Sequence, residues 1–186
     1  MADPLSRRTR ALIAATIIPV IIIVDQWTKW LVLNTPQFNA LGCLDRTERC
    51  GRIELSPIVD LSMVWNRGMS FGAFQSEGVM RWVLFAVTVA IATGFFIWLL
   101  RAERRLTAIS LAIVVAGAVG NMIDRARFGA VVDFIDFSDI WFVYVFNVAD
   151  SAVTIGAALL FLDQFLISRA PKPSGADVSA GLNNKP

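Results

Sequence analysis

WVLFAVTVAIATGFFIWLL, residues Trp82 to Leu100, runs its whole length without a charged side chain. The hydrocarbon core of a bilayer takes about 20 apolar residues of helix, and this stretch supplies them in one piece. Three more stretches of that length flank it. The first runs from about Ala11 to Leu33, interrupted by Asp25 and Lys29. Another, Leu106 to Ile123, is rich in Ala and Gly. The last runs from about Phe142 to Ile167, with Asn147, Asp150 and Asp163 inside it. Only Arg101-Ala102-Glu103-Arg104-Arg105 separates the second stretch from the third. The pattern predicts an all-α membrane protein with four transmembrane helices.

Composition agrees. Of 186 residues, 56% are hydrophobic and 17% charged, and the mean hydropathy is +0.61; a soluble domain carries about 25% charge. A net charge of +2 provides no basic stripe for nucleic acid. The chain has no histidine and two cysteines. That removes Ser-His-Asp and Cys-His nucleophiles, imidazole zinc sites and Cys₄ sites. Any proton transfer falls to Asp, Glu, Lys, Tyr or water, and neither cofactor nor metal is expected.

Arg7, Arg8 and Arg10 precede the first span, and no Lys or Arg follows Leu33 until Arg46. The excess of cationic residues on cytoplasmic loops therefore predicts a cytoplasmic N-terminus over residues 1–10. Arg101, Arg104, Arg105, Arg169 and Lys172 fall on the same side, while Arg125 and Arg127 run against the bias. Four spans then place both termini inside, with residues 34–81 and about 124–141 outside. Residues 11–168 form the membrane domain. Residues 169–186, with Pro171-Lys172-Pro173-Ser174-Gly175 near their start, are expected to be a disordered cytoplasmic tail. The rival reading of residues 1–33 is a cleavable signal peptide. Asp25 and Lys29 break its apolar core, and no small-x-small cleavage site follows promptly.

The outer segment 34–81 is patterned. Ile53-Glu54-Leu55 and Ile58-Val59-Asp60-Leu61-Ser62-Met63-Val64 alternate as half-buried strands do. Pro57 separates them, and Gly68 and Gly72 suggest turns, so a small extracytoplasmic β-sheet on the membrane surface is expected. Cys43 and Cys50 lie in this segment. An oxidising compartment would join them as a disulfide; two free thiols are the alternative.

Ionisable residues in spans are costly and mark functional candidates. Asp25 and Lys29 stand four apart on one helical face, where a pair that fixes helix packing explains them. Asn66-Arg67-Gly68-Met69-Ser70-Phe71 reads either as a plain turn or as a close backbone approach with an amide donor and acceptor. Asn121, Asp124 and Arg125 share a face at the end of the third span. There Arg125 could hold a carboxylate or phosphate, or Asp124 and Arg125 simply anchor the interface. Ala112, Ala116 and Gly120 make a small-residue packing stripe. Asp133 sits in the β-prone Val131-Val132-Asp133-Phe134. If the fourth helix starts near Val143, Asp150 lies roughly 10 Å deep at 1.5 Å per residue and needs a partner, with Asn147 one turn above to orient it. A carboxylate pair is the one reaction apparatus left without histidine: one ionised member takes a proton from water while its protonated neighbour polarises an amide carbonyl. The residues alone allow Asp150 to pair with either Asp124 or Asp133.

Taken in order, these motifs resemble those of bacterial lipoprotein signal peptidase, the aspartyl signal peptidase II. Asp25-Gln26-Trp27-Thr28-Lys29 is similar to the family's first-helix motif, and Asn66-x-Gly68-x-x-Phe71 to its second. Gly117-Ala118-Val119-Gly120-Asn121-x-x-Asp124-Arg125 matches the third, followed by Val132-Asp133-Phe134 and Phe146-Asn147-x-Ala149-Asp150-Ser151. The resemblance spans about residues 11–166. It implies a catalytic dyad of Asp133 and Asp150. It also implies a substrate and inhibitor groove lined by Asn66, Gly68, Asn121, Arg125 and Asn147, with Asp124 supporting the site and Asp25 and Lys29 the fold. The implied activity is removal of signal peptides from prolipoproteins by cleavage before a diacylglyceryl-modified cysteine, at the bacterial inner membrane. The implied partners are that substrate, membrane lipid and a globomycin-type inhibitor. Ala116 departs from a frequent family Gly, and the segment between Leu33 and Ile53 is longer than usual. Two other classes compete: a proton-coupled transporter or small channel relaying protons through intramembrane Asp residues, and a non-catalytic assembly factor. Four helices without an inverted repeat, and carboxylates near one face rather than the midplane, weigh against the transporter. Costly buried carboxylates weigh against the assembly factor.

Overall fold

Four long apolar helices dominate the computed structural model, which describes residues 4–45, 49–68, 79–140 and 142–168. They are α1 (Arg7–Leu33), α3 (Val79–Arg101), α4 (Arg105–Phe128) and α5 (Val148–Ser168), each long and apolar enough to cross a membrane. A short α2 (Pro36–Ala40) follows α1. Strands β1 (Arg49–Glu54) and β2 (Asp60–Asn66) lie between α2 and α3; β3 (Val131–Phe137) and β4 (Phe142–Phe146) lie between α4 and α5. All four strands pair antiparallel in chain order. The sheet therefore sits at the end of the bundle where α1 and α4 finish and α3 and α5 begin. Phe71, the Gly72 turn and the 169–186 tail lie outside the described residues.

Helix α4 is the most enclosed of the four and packs against α1, α3 and α5. The cause is in its sequence: Ala112 and Ala116 are fully buried with Gly120 on the same stripe, so neighbouring backbones come close without a competing side chain. A Cβ on Gly120 would fall 2.7 Å from Asp25 Oδ2; the missing side chain is the room that α1's carboxylate occupies. The Ala116 departure fits the same stripe. Pro19 lies within α1. Gly129, at φ 74°, caps α4 in the left-handed region and turns the chain into β3.

Between the sheet and the α1–α2 end lies a core of Phe38, Cys43, Met63, Trp65, Val132 and Phe134. Cys43 and Cys50 are disulfide-bonded. The indole N–H of Trp65 donates to the Cys43 carbonyl at 2.9 Å, tying this tether to β2.

The fourth span begins later than its apolar run. Phe142-Val143-Tyr144-Val145-Phe146 is strand β4, paired with Ile135–Phe137, and the helix starts at Val148. β-Branched and aromatic residues suit a pleated edge better than a helix, and Asn147 then caps α5. Its Oδ1 accepts from the Asp150 N–H at 2.9 Å while its own N–H lies 3.4 Å from Asp150 Oδ2, a reciprocal capping box. Asp150 is thus in the first turn of α5 and half-buried. The depth of about 10 Å expected from a Val143 start is corrected accordingly.

Candidate active site

Asp133 is held from both sides. Registering β2 against β3 sets Val64 opposite Asp133 and Asn66 opposite Val131, so Asn66 and Asp133 are diagonal neighbours on one face. The Asn66 Nδ2 donates to Asp133 Oδ2 at 3.0 Å, and Asn66 Oδ1 accepts from the Gly68 N–H at 3.1 Å. Gly68 has φ 152°, which few residues with a Cβ adopt. The other carboxylate oxygen of Asp133 accepts from Asn147 Nδ2 at 2.6 Å.

Asn147 is fully buried and joins the two acids. Its amide reaches Asp133, the Val132 carbonyl (3.3 Å) and Asn121 Oδ1 (3.2 Å), while its backbone and Oδ1 engage Asp150. Asn121, from α4, donates its Nδ2 to Asp150 Oδ1 at 2.8 Å. Three asparagines thus aim amide donors at two carboxylates drawn from β3 and α5. Asp133 is 2% exposed. Burial, and then the neighbouring Asp150 charge, push its carboxyl up to about 7, against the hydrogen bonds from Asn66 and Asn147 and the charge of Lys29.

Arg125, half-buried in the last turns of α4, has Asp150, Asp133 and Asp124 as its electrostatic neighbours. Asp124 turns elsewhere: Oδ2 pairs with Lys29 Nζ at 2.7 Å and accepts from the Val132 N–H at 3.2 Å, fixing β3 one residue before Asp133. Asp25 pairs with Lys29 at 2.9 Å, and its Oδ1 accepts from the Ala149 N–H at 2.9 Å, next to Asp150. All ten residues singled out in the sequence meet at this end of the bundle. Between the two partners open for Asp150, the geometry groups Asp133 with it through Asn147, while Asp124 is engaged by Lys29.

One contributor has no role in the sequence reading. The Gln26 amide donates to Asp124 Oδ1 (2.9 Å), Asp25 Oδ2 (3.1 Å) and the Gly120 carbonyl (3.3 Å), closing the α1–α4 seam. Its position between Asp25 and Lys29 is the available signal. Asp163, the remaining acid of the fourth span, is far along α5. It is fully buried, pairs with Arg104 at 3.0 Å and accepts from the Thr107 hydroxyl. It ties α4 to α5 at the end opposite the carboxylate pair.

Four spans and this site define the class: a multi-pass membrane protein with paired carboxylates where its sheet meets its helices. The family model described as signal peptidase (SPase) II matches residues 17–166. The chain is 46% identical, over 67% of its length and 73% of the relative's, to a lipoprotein signal peptidase of Methylorubrum extorquens. It is 40% identical to one from Caulobacter vibrioides over 83% and 87% of the two chains. A solved bacterial membrane enzyme, determined by the in meso method at 2.3 Å, superposes with a TM-score of 0.72 at 25% identity, over 94% of this chain and 98% of that one. The chain belongs to the signal peptidase II family, a family of proteases.

Proposed function

We propose that this protein is an aspartic endopeptidase that removes signal peptides from prolipoproteins, cutting before a diacylglyceryl-modified cysteine. The observation that carries the catalytic type is Asn147, bonded to both Asp133 and Asp150 in a chain without histidine. A water between the two carboxyl groups loses a proton to the ionised one as its oxygen attacks the scissile carbonyl. The protonated partner donates a hydrogen bond to the developing oxyanion. The tetrahedral intermediate then collapses: the C–N bond breaks, a carboxyl-borne proton passes to the leaving amine, and the signal peptide departs with a new carboxylate. The N-terminus of a helix favours an anion in its first turn, which suits Asp150 to the base role and the buried Asp133 to the acid role. Asn66, Gly68, Asn121, Arg125 and Asn147 line the groove for the substrate and for a globomycin-type inhibitor, with Arg125 available to carbonyl or ester oxygens.

In this reading the protein resides in the bacterial inner membrane with both termini cytoplasmic and the site toward the outer face. The arginines at 7, 8, 10, 101, 104 and 105 support that orientation. Incubating detergent-purified protein with a lipid-modified prolipoprotein and reading the product's size tests the activity. An unmodified substrate tests the lipid requirement. A reporter active only outside the cytoplasm should work when fused after Phe74 and fail after Arg104; the reverse pattern inverts the topology. Family membership does not favour the transporter reading.

A further inference from the structure

Lys29 is 2% exposed within an apolar span, and an ion pair that fixes helix packing accounts for only part of its surroundings. An ammonium carries three hydrogens, and three acceptors meet it: Asp124 Oδ2 at 2.7 Å, Asp25 Oδ2 at 2.9 Å and Asn121 Oδ1 at 3.2 Å. The third contact leads to the carboxylate pair. A side-chain amide has an accepting end and a donating end, and Asn121 has both committed. Its Oδ1 takes Lys29 and Asn147 Nδ2, which leaves Nδ2 to donate to Asp150 Oδ1 at 2.8 Å. Turned over, the amide would point N–H groups at two donors and an oxygen at a carboxylate. The charge-assisted bond from Lys29 opposes that turn.

We propose that Lys29 is a positioning residue for the reaction: it holds Asn121 so that its amide donates to Asp150, and its charge sets the pH range in which the pair shares a proton. The inference rests on the aspartic protease reading and goes beyond the role in the fold expected for Asp25 and Lys29. Among the described residues, the charged groups at this end include Asp25 and Lys29 from α1, Asp124, Arg125 and Arg127 from α4, Arg67 just after β2, Asp133 from β3 and Asp150 from α5, with Arg127 reaching Gln26 Oε1 at 3.4 Å. Strand β2 contributes the neutral Asn66. Of these cations, Lys29 is bonded to Asn121, which in turn donates to Asp150. Its charge also opposes the rise in the Asp133 carboxyl.

The test uses the full chain in detergent with a lipid-modified prolipoprotein. Wild type should cleave and Asp133→Asn should not; if either fails, the protease reading falls, and this inference with it. The informative variant is Asp25→Asn with Lys29→Met. It leaves the net charge of the Asp25–Lys29–Asp124 cluster unchanged, and the new amide oxygen can still accept from the Ala149 N–H. Expected are a kcat lower by roughly tenfold at the wild-type optimum, a KM little changed, and a pH–rate profile displaced to alkaline pH, since of the two charges removed Lys29 is the one that acts on the Asp133 carboxyl, favouring its ionised form. Asp163→Asn, an equally buried acid at the far end of α5, should lower thermal stability and leave the profile in place. A monodisperse double variant with wild-type kcat and profile overturns the proposal. If that variant does not fold, Asp124→Asn decides. Removing an anion from Lys29 should move the profile to acid pH, and an unmoved profile overturns the proposal equally.

Discussion

Replacing Asp133 by Asn should stabilise the folded protein increasingly as pH rises from about 4 to about 7. The carboxyl is held near 7 in the folded chain and would sit near 4 when unfolded. Its folded value is raised, and for an acid the linkage sign follows directly. Between those two pH values the folded state binds more protons than the unfolded state, so wild-type stability falls as pH rises through the window and levels off above it. The full difference corresponds to about 4 kcal/mol at most. Asn has nothing to ionise and escapes the loss. Set against the protonated carboxyl, which like the amide keeps one carbonyl oxygen to accept, the exchange alters the bonds to Asn66 Nδ2 and Asn147 Nδ2 by an amount fixed at every pH, about 1–3 kcal/mol at most. That constant cost cancels when the two proteins are compared across pH. Thermal unfolding in detergent at pH 4.5 and pH 8 measures the change: the melting difference, variant minus wild type, should grow by up to roughly 10 °C. A difference that stays flat with pH, or shrinks, would refute the placing of a strained acid at this position.

Other expected outcomes follow from the same geometry. Asp133→Asn and Asp150→Asn should each lose cleavage by about 10²–10⁴-fold or more, with the double variant no worse, because both serve one proton inventory; a fully active single variant would break the pairing. Cys43 and Cys50 should resist thiol labelling until reduced. Replacing both by Ser should cost about 2 kcal/mol for so short a closed loop, with cleavage retained; complete labelling without reductant would contradict the bridge. Gly117→Ala should destabilise by about 1–3 kcal/mol, because its Cβ would strike the Ala149 carbonyl oxygen and come 2.8 Å from Val153 Cγ2; an unchanged melting temperature would show that α4 and α5 separate more readily than the contact implies.

Much of this was legible in the sequence because lipid imposes a blunt requirement on it. An uncharged run such as Trp82–Leu100 has few other uses, and each acid inside a span needs a partner. Phe142–Phe146 misled because a short apolar run reads alike as strand and as helix. Only its pairing with the neighbouring strand β3 decides, and that contact is made between strands rather than written in the run's own propensity. The start of α5 was nevertheless written in Asn147-x-x-Asp150, a capping-box spacing. The choice between Asp124 and Asp133 was not legible from spacing. It depends on Lys29 reaching across from α1 to engage Asp124. Gln26 escaped notice because a neutral amide gives no alarm in a sequence, although in the structure it bonds both α1 and α4 carboxylates.

The double engagement of Asn147 has a consequence for the protein's birth. The residue that closes the first turn of α5 also bridges Asp133 and Asp150. A chain whose last helix has not yet formed therefore has no assembled pair, only two separate acids on unconnected segments. In the aspartic protease reading proposed above, competence to cut therefore arrives with the final helix.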